Sequence, residues 1–144
     1  MNKISLLKLI KIITATGILL VLLCSCNSSE IIEYYSQKEN YISVTGTVSN
    51  IKYNEDTTAL YIDLSELSPA LDDTCFKIAG ENLEIVKAKK FDDKLKTGEQ
   101  ITFITAPKYF GDGYVMPIVA ISISGENLLD FEEGYKNLLN WLSK

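Results

Sequence analysis

The sequence predicts an all-β domain with helices: a five-stranded β-barrel with one helix between strands three and four and an amphipathic helix at the C-terminus. Three observations predict this class. Five short segments rich in β-branched and aromatic residues are separated by turn residues. Between the third and fourth segments the apolar residues recur with helical spacing instead. The end of the chain repeats apolar side chains every three to four positions, as an amphipathic helix does.

The first three strands are predicted at residues 41–53, 57–64 and 74–79, where apolar and polar residues alternate. Gly46 interrupts the alternation of the first strand, which predicts a bulge or a sharp bend there. Residues 65–73 contain one Pro and two Asp, so we expect a loop between strands two and three.

The remaining elements are predicted from the second half of the chain. Residues 81–95 have helical spacing, and strands are expected at 100–106 and 114–124. Pro117 interrupts the last strand and cannot donate a ladder hydrogen bond, so it belongs at an edge or a bulge. Residues 131–143 place an apolar stripe opposite a polar one, which predicts the closing helix.

Three strands, a helix and two further strands follow the order of an OB-fold barrel, whose long bent first strand serves both sheets. Residues 41–123 resemble the small OB-fold domains, related to the tRNA-anticodon-binding type, that occur in many bacterial lipoproteins. A simple β-sandwich or another small barrel is the alternative fold. Four segments carry the resemblance: VTGTV (44–48), LYIDL (60–64), KTGEQITF (96–103) and YFGDGYVMPIVAI (109–121).

The composition argues against several functions. The chain has 14 basic residues, all of them Lys, against 19 acidic residues, and it has no His. The absence of His removes the commonest metal ligand and the commonest acid–base catalyst near neutral pH. An acidic chain without Arg is a poor candidate for neutralising phosphates, so nucleic-acid binding is only a remote alternative. We therefore predict no enzyme and no cofactor, and a hydrolase with an unrecognised site is a distant alternative.

The N-terminus has the layout of a secretory signal peptide. Residues 1–11 carry three Lys and no acid, and the uncharged apolar run 12–23 follows. This apolar run has 12 residues, whereas a membrane-spanning helix needs about 20. We therefore predict a cleaved signal peptide at residues 1–25. An uncleaved transmembrane anchor and ordinary secretion are the alternatives.

The junction after the apolar run resembles a bacterial lipobox. Leu23, Ser25 and Cys26 occupy the positions of that motif, whereas Cys24 as the modified residue would be preceded by the bulky Leu23. The resemblance implies that Cys26 receives a diacylglyceryl group and becomes the new N-terminus. Two acyl chains give a stable membrane anchor where one chain does not. The predicted organisation is a tether at residues 26–40 and an OB-fold-like domain with the C-terminal helix at residues 41–144.

The OB-fold resemblance also implies a binding face. OB-folds bind ligands on strands two and three and on the flanking first and fourth loops. Aromatic side chains there could stack on a ligand, although each of them could equally belong to the core. The candidate ligand-binding residues are Tyr61, Phe76, Lys77, Tyr109, Phe110 and Tyr114.

The sequence therefore predicts a lipoprotein on the extracytoplasmic face of the cell membrane. Its first partner is the lipid bilayer, through acylated Cys26, and its second is an envelope protein. The domain is expected to bind a protein, a peptide or a small ligand without enzymatic activity. The alternative from another class is a structural or stress-related envelope protein that has no small ligand.

Overall fold

The computed structural model describes residues 29–56, 58–108 and 115–144. The predicted signal peptide, Cys26 and the predicted site residues Tyr109, Phe110 and Tyr114 lie outside the described residues. The chain divides into two compact units, Met1–Tyr34 and Tyr35–Lys144. In the first unit, the described residues 29–34 are helical. The second unit contains the sheet and is the subject of the following paragraphs.

One mostly antiparallel sheet forms the framework of the second unit. Its strands are β1 (Ile42–Asn54), β2 (Ala59–Ser68), β3 (Cys75–Ala79), β4 (Gln100–Thr105), β5 (Met116–Ile123) and β6 (Glu126–Leu129). The strand order is β3-β2-β1-β4-β5-β6, and an additional parallel pairing joins β3 to β5. The sheet therefore closes in a ring, and the predicted class of an all-β domain with helices is confirmed.

The prediction of five strands was wrong, because β6 was missed. Ser124 and Gly125 form the two-residue turn between β5 and β6, and both have positive φ, at 51° and 80°. Two residues with positive φ make a type I′ hairpin turn, whose twist matches that of the flanking strands. The Ser-Gly dipeptide was the available signal, but β6 has only four residues and does not alternate clearly.

The bend predicted at Gly46 is confirmed. The first part of β1 pairs with β4, and the later part pairs with β2, with a register shift between Thr45 and Thr47. A Cβ atom at Gly46 would lie 2.8 Å from the Leu67 side chain and 3.4 Å from the Leu64 side chain. Glycine therefore lets β2 pass close to β1 at the bend, and one strand can serve both sides of the ring.

Two predicted boundaries were wrong. Strand β2 continues to Ser68, into the segment expected to be a loop. The helix after β3 is α1 (Gly80–Ala88), shorter than the predicted 81–95. Lys90 adopts the left-handed region with φ 54°, and a 3₁₀ turn follows at Phe91–Asp93. The helix therefore ends before Phe91, whose side chain is buried.

The hydrophobic core fills the interior of the ring and continues under α1. It combines alternate residues of the strands with two residues of α1, since successive side chains of a strand point to opposite faces. Its largest fully buried side chains include Phe76, Phe103, Leu60, Ile62, Leu64, Ile78, Leu83, Ile101, Met116, Ile118 and Leu128.

The C-terminal helix α2 (Phe131–Leu142) confirms the last predicted element. The Asp130 carboxylate caps its N-terminus by accepting a hydrogen bond from the Glu132 backbone N–H at 3.0 Å. Gly134 lies against the backbone of β5, where a Cβ atom would come within 1.9 Å of the Val119 carbonyl oxygen. A residue without a side chain is therefore needed for this close contact of α2 with the sheet.

An aromatic clasp, made of Tyr41, Phe131 and Tyr135, joins the start of the second unit to the first turns of α2. The Tyr41 ring packs edge-on against the Phe131 and Tyr135 rings, with centroids 5.6 and 5.5 Å apart. Lys38 adds an ion pair with Glu132 at 2.6 Å. The Tyr135 hydroxyl donates to the Ser36 carbonyl oxygen at 2.6 Å.

Candidate binding site

Two rows of side chains cross β1, β2 and β3 on the outside of the ring, and together they form the outer face. In the first row, Tyr61 on β2 lies between Lys52 on β1 and Lys77 on β3. The second row is parallel to it and consists of Asn50, Asp63 and Cys75. The structure therefore brings together the predicted site residues Tyr61 and Lys77 as direct cross-strand neighbours.

The first row presents an aromatic ring between two cations. The Lys77 Nζ atom lies 5.8 Å from the centroid of the Tyr61 ring, a cation–π contact. At an exposed position such a contact contributes only about 0.5–1 kcal/mol, so Lys77 can leave it for a stronger partner. Lys52 is exposed. The Tyr61 ring could stack on a planar group of a ligand, and a flanking lysine could pair with a carboxylate of that ligand.

The second row is held by hydrogen bonds. The Asn50 side-chain amide donates to Asp63 Oδ2 at 3.0 Å. Hydrogen bonds from Cys75 and then Asn50 lower the pKa of Asp63, because both stabilise the carboxylate. Burial, followed by the hydrogen bond and charge of Asp63, raises the pKa of Cys75 to about 12. The thiol is therefore protonated at neutral pH. Because the thiolate is the nucleophilic form, Cys75 is poorly suited to nucleophilic chemistry.

Phe76 is a correction to the predicted site. Its side chain is fully buried and packs edge-on against Phe103, with ring centroids 4.6 Å apart. Its strand neighbours Cys75 and Lys77 point to the outer face, so Phe76 must point inward. The alternation of strand side chains already placed Phe76 and Lys77 on opposite faces, and this signal was available in the sequence.

The cleft, which sequence reasoning missed, lies beside the outer face. It has a volume of about 130 Å³ and opens between the end of β3, the start of β5, α1 and the last turn of α2. Lys77 lines its rim, so the cleft and the outer face share this residue. Its apolar walls are Ala79, Val115, Pro117, Ile118, Leu138 and Trp141.

The cleft exists because the pairing of β3 with β5 is short. This parallel ladder pairs Phe76 with Met116 and Lys77 with Pro117, and it does not continue past the proline. Proline has no N–H with which to extend a ladder. The Pro117 carbonyl oxygen accepts a buried hydrogen bond from Thr105 Oγ1 at 2.7 Å, on the β4 side. The two strands therefore separate after this pair, and α1 and α2 border the gap.

An amide pair keeps the two helices in place around the cleft. The Asn82 side chain on α1 donates to the Gly134 carbonyl oxygen at 3.0 Å and accepts from the Asn137 side chain at 3.0 Å. Asn82 is buried, so both bonds avoid the cost of an unpaired buried amide. Trp141 on the last turn of α2 is 49% exposed at the mouth of the cleft.

Two of the lysines in residues 87–96 pair with neighbouring side chains. Lys87 contacts the Tyr53 hydroxyl at 3.2 Å and Glu84 at 3.4 Å. Lys94 pairs with Glu126 at 2.5 Å. These contacts with neighbouring acids and a tyrosine reduce the charge that the cluster offers to an anionic partner.

Within residues 29–56, 58–108 and 115–144, no group of three or more His, Cys, Asp or Glu side chains is placed to hold a metal ion. No helix of that part of the chain is both long and apolar enough to cross a membrane. Comparison with family models, with curated proteins and with solved structures gives no match.

Proposed function

We propose that this chain is a lipoprotein anchored by acylated Cys26 on the extracytoplasmic face of the cell membrane, with a non-enzymatic OB-like domain that binds a protein, a peptide or a small ligand. The observation that carries the binding proposal is the position of Lys77. This residue belongs both to the outer face, beside Tyr61, and to the rim of the cleft. A cation, an aromatic ring and an apolar recess therefore adjoin one another.

The strand pairings support assigning the ring to the OB-fold. Following the pairings from β1 gives β2, β3, β5 and β4, and β4 pairs with β1 again. That is a ring of five strands with a bent first strand, and α1 lies between β3 and β4 in the chain, as in the OB-fold arrangement. In this assignment, β6 and α2 are additions that follow the fifth strand.

The lipobox supports the anchoring proposal, and acyl labelling tests it. The full chain is expressed in a bacterium that is fed an alkyne fatty acid, and the label is read on the purified protein. We expect Cys26→Ala to abolish incorporation, because the acceptor sulfur is lost. The matched control Cys24→Ala should retain the label. Label that is lost with Cys24→Ala but kept with Cys26→Ala would contradict this assignment.

Thermal-shift screening of the purified full chain against sugars, peptides and oligonucleotides tests the binding proposal. A ligand that binds only the folded state raises the midpoint of unfolding by mass action. We expect a response to one class that is reduced by Tyr61→Ala, because Tyr61 is the aromatic centre of the outer face. No response in any class would favour a structural envelope protein, and a response to oligonucleotides alone would favour nucleic-acid binding.

A further inference from the structure

We propose that the cleft receives one apolar side chain from a partner protein, and that an acidic residue next to that side chain pairs with Lys77. This inference rests on the binding part of the proposed function and does not depend on acylation of Cys26. The partner is a protein segment, and its binding site is the cleft together with Lys77, the residue that the cleft shares with the outer face.

The volume of the cleft limits what can occupy it. Pockets that envelop a drug-sized ligand measure roughly 300–1,000 Å³. An apolar cavity of about 150 Å³ admits one benzene ring. At about 130 Å³, the cleft accommodates a single apolar side chain and is too small to enclose a nucleotide or a cofactor. A side chain that inserts alone must be carried by a larger molecule that binds beside it, which favours a protein segment.

The charges at the rim of the cleft favour a particular charge on the partner residue that lies next to the inserted side chain. Among the described residues that line the cleft, Lys77 and Lys144 are cationic and Glu81 is acidic. Within the described ranges, no carboxylate forms an ion pair with Lys77, whose ammonium group lies over the Tyr61 ring. An acidic residue of the partner would therefore complete a charge-assisted hydrogen bond at the edge of the apolar recess.

Trp141 supplies the aromatic wall of this recess. Tryptophan is enriched among the residues that dominate protein–protein binding energies, because it combines a large apolar surface with an N–H donor. Half of this side chain is exposed at the mouth of the cleft. A partner side chain that enters the cleft would cover part of that surface and change the surroundings of the indole ring.

The chain contains a single Trp, so tryptophan fluorescence of the full chain comes from Trp141 at the mouth of the cleft. The full chain is placed in phosphatidylcholine nanodiscs and titrated with the capped tetrapeptide Gly-Leu-Asp-Gly. We expect a saturable shift of the Trp141 emission at millimolar peptide. Two control peptides test the parts of the proposal. Gly-Ala-Asp-Gly lacks the apolar side chain and Gly-Leu-Lys-Gly reverses the charge, and each should bind at least fivefold more weakly.

Two variants locate the binding site. Lys77→Glu should weaken binding of Gly-Leu-Asp-Gly at least fivefold and strengthen binding of Gly-Leu-Lys-Gly. The matched control Lys96→Glu makes the same charge change at an exposed position outside both the cleft and the outer face, and should leave both affinities within twofold. Ala79→Leu adds methylene groups inside the cleft and should abolish the saturable shift, because it takes the space of the incoming side chain.

The proposal is overturned if the Trp141 emission shows no saturable shift with Gly-Leu-Asp-Gly, or if Lys96→Glu weakens binding as much as Lys77→Glu does. Emission that shifts with protein concentration alone would identify a second copy of this chain as the occupant and would also overturn it. A ligand found by thermal shift, sensitive to Tyr61→Ala but not to Ala79→Leu, would leave the proposed function standing while the cleft proposal fails.

Discussion

The two halves of α2 have opposite surroundings. Its first turns are covered by the aromatic clasp, and Lys38 lies 5.7 and 5.1 Å from the Phe131 and Tyr135 ring centroids. Its last turn borders the cleft, where Trp141 is half exposed. One helix therefore carries the stabilising contacts at one end and a binding surface at the other. The contacts of the first turns hold α2 on the sheet. The apolar area that is exposed at the last turn therefore costs little stability.

The largest effect is expected from Gly134→Ala in the covered half. A Cβ atom at this position would come within 1.9 Å of the Val119 carbonyl oxygen, so α2 would have to move away from β5. We expect the free energy of unfolding to fall by more than about 3 kcal/mol, at the upper end of overpacking costs. Chemical denaturation of the full chain measures this. A loss below about 1 kcal/mol would show that α2 does not contact the sheet as closely as described.

Tyr41→Ala should have the second largest effect, because it removes the central ring of the clasp. Tyr41 packs on two rings of α2, and its hydroxyl donates to the Tyr35 carbonyl oxygen at 2.8 Å. We expect a loss of about 2–3 kcal/mol, since the ring is only partly buried. Lys38→Ala is the control. Its ion pair with Glu132 is exposed on both sides, so about 0.5–1 kcal/mol is expected. Equal losses in the two variants would mean that charge, and not ring packing, holds the clasp.

Trp141→Ala should have the smallest effect on stability, because it lies in the open half of α2. We expect the free energy of unfolding to change by less than about 1 kcal/mol, as for a partly exposed side chain outside the core. The same variant should abolish the binding that Gly-Leu-Asp-Gly shows by calorimetry. A loss of stability comparable to that of Tyr41→Ala would remove the distinction between the two halves.

The parts of the fold that depend on local pattern were predictable from the sequence. The bend at Gly46 and the helix at the C-terminus follow from residues close together in the chain, where side-chain periodicity is informative. Phe76 was assigned to the wrong face even though the same periodicity determines its direction. The hairpin at Ser124 and Gly125 was also encoded locally, by a Ser-Gly dipeptide that marks a turn, but the strand after it is too short to show a pattern.

The cleft could not be predicted in this way. It depends on a parallel pairing that joins Lys77 to Pro117, two residues that are far apart in the chain. Pro117 was expected at an edge or a bulge, but its partner strand was not known. Trp141 lies outside the apolar stripe expected for the last helix, and its position beside β5 follows only from the packing of α2 on the ring.

Acrylamide quenching of the single Trp in the full chain tests most directly the claim that the last turn of α2 leaves the cleft open. Because Trp141 is 49% exposed, we expect a quenching constant about half that of N-acetyltryptophanamide, and we expect saturating Gly-Leu-Asp-Gly to lower it. A quenching constant near zero without peptide would mean that the indole is covered, and it would contradict the division of α2 into a closed and an open half.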